Sequence, residues 1–111
     1  MSTRFDEMPK AMKREIRHLA GVVHERLLAA ELKKLEREFA RWDRKELDAF
    51  ELAAAIHRFH EGAPRRLLSA FNTNRVEVLL FRVRDGVEEG TLKEVEIGEE
   101  LLALLRTLTM F

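Results

Sequence analysis

The chain has 111 residues, 46% apolar and 36% charged, and its 20 lysines and arginines balance 20 aspartates and glutamates. This length suits a single domain, 1–111, and the balanced charge provides no net field that would favour nucleic acid or an anionic membrane. The lack of cysteine excludes disulfide frameworks, thiol nucleophiles and cysteine zinc sites, and no apolar run approaches the roughly 18 residues of a membrane span. We therefore expect a cytoplasmic protein.

The first predicted element is a long helix over residues 9–42. Pro9 suits a first helical turn, and only Gly21 interrupts the helical pattern before Trp42. Such a helix is about 50 Å long at 1.5 Å per residue. A compact domain of this size has a radius of gyration near 13 Å and is roughly 35 Å across. The sequence therefore predicts either a bend near Gly21 to His24 or a straight helix that extends past the rest of the domain.

This segment carries two apolar stripes that point in different directions. The first stripe is Met12, Ile16, Leu19, Val23 and Leu27, and the second is Leu28, Leu32, Leu35, Phe39 and Trp42. On a helical wheel their mean directions differ by about 140°. Because an uncovered apolar stripe needs a partner surface, we expect a homodimer in which the second stripe is the interaction face.

The central helix, predicted over 48–61, has the clearest boundaries. Asp48 is a good N-cap, and Glu51 completes a capping box. Gly62 is expected in the left-handed conformation, followed by a short helix 64–72 that begins at Pro64. The residues predicted to form the buried faces of these two helices are Ala49, Leu52, Ala53, Ile56, Phe59, His60, Leu67, Leu68 and Phe71. We expect alanine at Ile56 or Phe59 to cost about 2–5 kcal/mol.

The same helix carries the motif FELxxxIHxFHxG, which runs from Phe50 to Gly62. It resembles a motif of small bacterial all-α proteins of unknown function. That resemblance covers about twenty residues and implies no activity. In those proteins an acidic residue and a tyrosine are expected after the turn, whereas Arg66 and Leu68 stand in this region here.

Residues 72–89 fit two structures. A helix capped by Asn72 or Thr73 and ended by Gly90 places its apolar residues on one face, namely Val76, Leu79, Leu80, Val83 and Val87. The β-rich run 76–83 followed by Asp85-Gly86 instead suggests a hairpin. We predict the helix, because the apolar spacing follows the 3.6-residue period. A last helix follows Gly98 and carries Leu101, Leu102, Leu104, Leu105 and Leu108.

Candidate chemistry is sparse. His57, His60 and Glu61 are spaced to share one turn of a helix and are weak candidates for a metal site, with His24 or Glu25 as further ligands. We expect instead that His60 packs in the core and His57 pairs with Glu61, so that no metal or cofactor is bound. No serine or threonine stands in a catalytic motif, and the five glycines form no phosphate loop, so no enzyme activity is predicted.

Nucleic acid is the alternative partner. The stretch 58–84 contains six arginines, of which Arg58, Arg65, Arg66 and Arg75 are the possible contacts, but its match to a helix–turn–helix is poor. Residues 85–100 hold seven acidic residues and one lysine, so the basic stretch has an acidic neighbour. We therefore predict an all-α domain of four or five helices that acts as a non-catalytic interaction or regulatory module. The partner is a second copy of the chain or another protein, and a nucleic-acid-binding regulator is the alternative.

Overall fold

The computed structural model describes residues 7–108, and these are organised entirely by helices and their connections. Five α-helices follow in order: α1 Lys10–Asp43, α2 Ala49–Glu61, α3 Ala63–Phe71, α4 Val76–Glu88 and α5 Glu99–Leu108. A single 3-10 turn, Glu94–Glu96, precedes α5. The described residues contain no strand, which confirms the predicted all-α class with a long first helix and a central helix followed by a short one.

The first helix is continuous. It runs for 34 residues through Gly21 without a break, which makes it about 51 Å long. The molecule measures 59 × 29 × 26 Å with a radius of gyration of 18.0 Å, well above the roughly 13 Å of a compact chain of this length. Of the two alternatives, the structure therefore has the straight helix, and α1 determines the elongated shape.

The main hydrophobic core lies along the first half of α1, where α4 and α5 pack against it. The first stripe provides Ile16, Leu19 and Val23 to this core, as predicted. Leu80 and Leu101, from α4 and α5, have no exposed area. The other buried members of the cluster are Met8, Ala20, Val76, Leu79, Val83, Leu92, Ile97, Leu105 and Leu108.

The region that also resembled a hairpin is a helix, α4, as predicted. Its Asp85-Gly86 pair lies inside the helix, where Gly86 is buried against α1. A β-carbon on Gly86 would stand 2.7 Å from Cγ2 of Val23, so the missing side chain is what lets the two helices approach this closely. After α4, Gly90 adopts a left-handed conformation with φ of 81°, which suits glycine at the end of a helix.

Two side chains of α1, Arg26 and Glu15, form hydrogen bonds with the connection between α4 and α5. Arg26 donates two hydrogen bonds to the Glu96 carboxylate, at 2.6 and 2.8 Å, and a third to the carbonyl of Thr91. The Arg26 guanidinium and the backbone amide of Lys93 hold the pKa of Glu96 down at about 2. The amide of Gly98, just before α5, donates to Glu15 at 2.7 Å. Together with the burial of Leu92 and Ile97 in the core, these bonds position the loop against α1.

The central helix has the predicted cap but not the predicted place in the core. Asp48 accepts a hydrogen bond from the Glu51 amide at 2.7 Å, and Glu51 accepts one from the Asp48 amide at 3.1 Å. On the predicted core face of α2, however, only Leu52 is buried, and Ile56 is 40% exposed. That core assignment was wrong because α2 packs along the second half of α1, away from α4 and α5.

Two further predictions about this region need correction. Gly62 was expected in the left-handed region, yet its φ is −93°. Glycine is nevertheless required there, since a β-carbon would lie 2.8 Å from the carbonyl oxygen of Arg58. Leu68 of α3 was expected in the core but is 56% exposed. The physical reason is again geometric, because α3 is covered by α1 on one side only.

Candidate interaction surface

The second half of α1 forms a single layer with α2 and α3. The connection from α1 to α2 is five residues long, so the two helices run antiparallel. Residues near 38–41 of α1 line a groove with the start of α2, whereas residues 31–35 line one with its end and the start of α3. Helices α2 and α3 therefore lie end to end beside α1. Such a layer has two broad sides, and these sides differ in chemistry.

One side of the layer carries a charged groove. Its charged lining comes from Glu31, Lys34, Glu38 and Arg41 of α1 and from Arg58 of α2, around an open volume of about 420 Å³. Lys34 pairs with Glu31 at 3.0 Å, and Arg41 pairs with Glu38 at 3.2 Å. The four charges that α1 contributes to the groove are thus matched in pairs, and Arg58 of α2 adds one further positive charge.

The opposite side of the layer is apolar. At 100° per residue, Leu28, Leu32 and Phe39 point about 60–120° away from the α1 residues Glu38 and Glu31 that face α2 and α3. On α2, Ile56 lies on the flank opposite Arg58. We use the term apolar face for the apolar residues on this side and at its border with the groove: Leu28, Leu32, Leu35, Phe39, Trp42, Ile56 and Leu68, of which Leu35 also lines the charged groove. The first five are the interaction face that the sequence predicts.

Much of this apolar face is uncovered. Leu32 is 48% exposed, Phe39 42% and Trp42 43%, whereas Leu28 and Leu35 are half-buried. Together with Ile56 and Leu68, the more exposed side chains leave roughly 460 Å² of apolar surface open, if a large apolar side chain presents about 200 Å² in full. This area is similar to that of the largest apolar patch on an ordinary monomeric protein, about 300–600 Å², and such patches are often functional.

One end of the apolar face is a shallow cleft between α1 and α3. Its volume is about 390 Å³, and it is lined by His24, Leu28, His60, Pro64, Arg65 and Leu68. The ring of His24 stacks on Phe71 with the centroids 4.9 Å apart, so this histidine is held in place by packing. The cleft extends the apolar face from α1 onto α3. The cleft gives the apolar face a concave end, and its polar side chains do not form a catalytic cluster.

The arginines proposed as nucleic-acid contacts do not form a single open basic face. Arg65 is paired with Glu61 at 2.5 Å, and Arg75 with Glu77 at 2.9 Å. Farther along the chain, Arg82 and Arg84 both face Asp85. Arg58 and Arg66 line grooves on α1 that also contain glutamates. Four of the six arginines of this stretch therefore face acidic side chains, and the other two, Arg58 and Arg66, border grooves that contain charges of both signs.

The three metal candidates do not converge either. His60 was predicted to pack in the core, but its side chain is 81% exposed and its Nε2 lies 3.9 Å from Glu61. His57 is exposed on α2, and Glu61 is engaged with Arg65. Within residues 7–108, no three histidine or acidic side chains stand close enough together to hold a metal ion.

The contribution of α2 and α3 to the apolar face was not predicted from the sequence. Ile56 and Leu68 were assigned to the core because each falls on the apolar side of its own helix. No signal in the sequence separates an apolar side chain that meets α1 from one that projects beside it. The high exposure of Phe50, at 87%, and of Val95, at 91%, was also not predicted. Phe50 lies on the outer edge of α2, and Val95 lies in the 3-10 turn.

Comparisons of the chain with protein-family models, with curated proteins and with solved structures find no match. In the part of the chain from residue 7 to residue 108, no helix combines the length and the apolar character needed to span a membrane. Although α1 has ample length, charged residues are distributed along all of it.

Proposed function

We propose that this protein is a non-catalytic interaction module that acts as a homodimer, with a second copy of the chain covering the apolar face. The observation that carries the proposal is the exposure of Leu32, Phe39 and Trp42 along one line of a rigid helix. These side chains belong to a regular stripe, spaced 4, 3, 4 and 3 residues apart from Leu28. Spacing of this kind keeps an apolar row facing a helical partner.

The amount of uncovered surface supports a second copy as the partner. A standard interface buries about 800 Å² on each partner, and about 57–65% of that area is apolar. The apolar part is then about 450–520 Å² for each partner, close to the roughly 460 Å² that the apolar face leaves open. Aromatic side chains are enriched among the residues that contribute most to the affinity of protein interfaces, and the apolar face has two of them, Phe39 and Trp42.

The net charge is compatible with self-association. The chain carries 20 positive and 20 negative side chains, so two copies approach each other without overall repulsion. The charged residues of the layer lie mainly in the groove on the other side and along the edges. A partner that covers the apolar face therefore removes apolar area from water and leaves most ion pairs solvated.

The test compares two variants of the same helix by sedimentation equilibrium and light scattering. Phe39→Glu places a carboxylate in the centre of the apolar face, whereas Arg37→Glu places one on an exposed position that points away from it. We expect the parent and Arg37→Glu to be dimers at micromolar concentration. We expect Phe39→Glu to dissociate at least about tenfold more readily, equivalent to about 1.4 kcal/mol.

Far-ultraviolet circular dichroism supplies the control, since both variants should retain the helical content of the parent. A parent protein that is monomeric up to about 100 μM, where affinities of about −5.5 kcal/mol would still be detected, contradicts the proposal. So does a Phe39→Glu variant that remains as dimeric as Arg37→Glu.

A further inference from the structure

A homodimer built on the apolar face has two limiting arrangements. When two copies of a layer stack face to face, their two-fold axis lies in the plane between them. If this axis is perpendicular to the helices, α1 of one copy packs antiparallel on α1 of the other. If the axis is parallel to the helices, α1 of one copy packs on α2 and α3 of the partner. The shape and charge of the face distinguish the two.

The surface shape of the apolar face favours the second arrangement, in which α1 packs on α2 and α3 of the partner. The α1 row is a ridge of large side chains, with Phe39 and Trp42 at its end. At the same level, the α2 row presents Ala49 and Ala53, which are both exposed and together form a low shelf. A ridge packs best into a low neighbouring row, because large side chains opposite small ones fill the space between helices without a void. If the α1 row of one copy packed on the α1 row of the other, the large side chains of both rows would hold the two layers apart.

The charges at the edges favour the same arrangement. Beside the apolar row, the outer edge of α1 carries Glu25, Glu36 and Asp43, all exposed, of which Glu36 is paired with Lys33 at 3.3 Å. The outer edge of α2 and α3 carries His57 and Arg65, which can donate to carboxylates; in the single chain Arg65 donates to Glu61. In the α1-on-α1 arrangement, each acidic edge meets the acidic edge of the partner, which is unfavourable. In the α1-on-α2 arrangement, each acidic edge of α1 instead meets the hydrogen-bond donors on α2 and α3 of the other copy.

We infer that the two copies stack with α1 of each over α2 and α3 of the other, about a two-fold axis parallel to the helices. This inference rests on the proposed dimer and specifies its geometry. Phe39 and Trp42 then occupy the shelf at Ala49 and Ala53 of the partner. Along the edges, Glu36 lies near His57 of the partner subunit, and Glu25 lies near Arg65 of the partner subunit.

The arrangement is tested by site-directed cross-linking, which is simple here because the natural chain contains no cysteine. Two single variants, Glu36→Cys and His57→Cys, place one thiol each on an exposed edge position. Each variant is treated with a bismaleimide about 8–10 Å long, a span similar to the distance between packed helices, first alone and then as an equimolar mixture after subunit exchange. Denaturing gels report species of twice the chain mass.

The expected result is a cross-linked dimer in the mixture and almost none with either variant alone. Cross-linking of Glu36→Cys alone would overturn the inferred arrangement in favour of α1 on α1, with the proposed dimer intact. A mixture that is dimeric by mass but does not cross-link would also overturn it. A parent chain that is monomeric would remove the proposed function and this arrangement together, so the two failures are distinguishable.

A matched pair of neighbouring alanines provides a second measurement. Ala53→Glu adds a charged side chain to the shelf, whereas Ala54→Glu adds the same side chain to the charged groove on the opposite side. Both alanines are exposed in α2, so neither change disturbs the buried core. We expect Ala53→Glu to weaken association at least about tenfold and Ala54→Glu to leave it unchanged within about twofold. Equal effects of the two variants contradict the arrangement.

Discussion

Gly86 and Gly21 allow one chemical change to be tested in two different environments. Both glycines lie inside helices, so alanine should gain about 1 kcal/mol of helix propensity at either position. At Gly21 the new methyl group meets no atom within 4 Å. At Gly86 it would stand 2.7 Å from Cγ2 and 3.2 Å from Cγ1 of Val23, whose side chain is 1% exposed. Overpacking of a core contact typically costs about 1–3 kcal/mol.

Gly21→Ala should therefore stabilise the protein by up to about 1 kcal/mol, and Gly86→Ala should be less stable than Gly21→Ala by about 1–3 kcal/mol. Urea unfolding monitored by circular dichroism measures this difference, at one fixed protein concentration because association shifts apparent stability. In a Val23→Ala background the penalty at Gly86 should shrink, which a double-mutant cycle detects. If Gly86→Ala proves as stable as Gly21→Ala, the close approach of α1 and α4 does not restrict the side chain at position 86.

Three further predictions concern the core, the loop and the cap. In urea unfolding at a protein concentration too low for dimers, Leu80→Ala should cost about 2–5 kcal/mol and Ile56→Ala less than about 1.5 kcal/mol, because Leu80 is fully buried and Ile56 is 40% exposed in the single chain; equal costs would contradict this location of the core. The pKa of Glu96 in the folded chain, about 2, lies below the ordinary value of 4.5. The stabilisation of the fold by the ionised Glu96 carboxylate should therefore be complete above pH 4.5 and disappear as the pH falls towards 2. The stability difference between the parent and Glu96→Gln should shrink over that range in urea titrations, and a constant difference would argue against the Arg26 pair. Asp48→Ala should lower stability by about 0.5–2 kcal/mol by the same assay, because the capping box is lost, whereas the exposed Asp43→Ala should change it by less.

The local features of the fold were predictable because their signals are local. Asp48 and Glu51 specify the start of α2 through two short hydrogen bonds, and the structure contains both. The apolar period of 76–87 was sufficient to predict a helix in spite of its β-branched residues. Likewise, the first stripe of α1 identified the side of the helix that packs in the core.

The contacts between distant elements were not predictable. The apolar sides of α2 and α3 are clear in the sequence, but a helical wheel does not say which helix will meet them or how much of each it will cover. Ile56 and Leu68 were therefore assigned to a core that lies elsewhere. Similarly, nothing in the sequence links Arg26 to Glu96, which are 70 residues apart. The candidate site was predicted for α1 and missed for its neighbours for the same reason.

The open apolar face follows from the dimensions of the helices. The first half of α1 packs against both α4 and α5, whereas the second half has only α2 and α3, which lie end to end and form one row beside it. One row of helices covers one side of α1, about 90° away from the direction in which Leu28, Leu32 and Phe39 point. No further helix among residues 7–108 remains to form a second layer. In the dimer that we propose, a second copy of this chain supplies this layer.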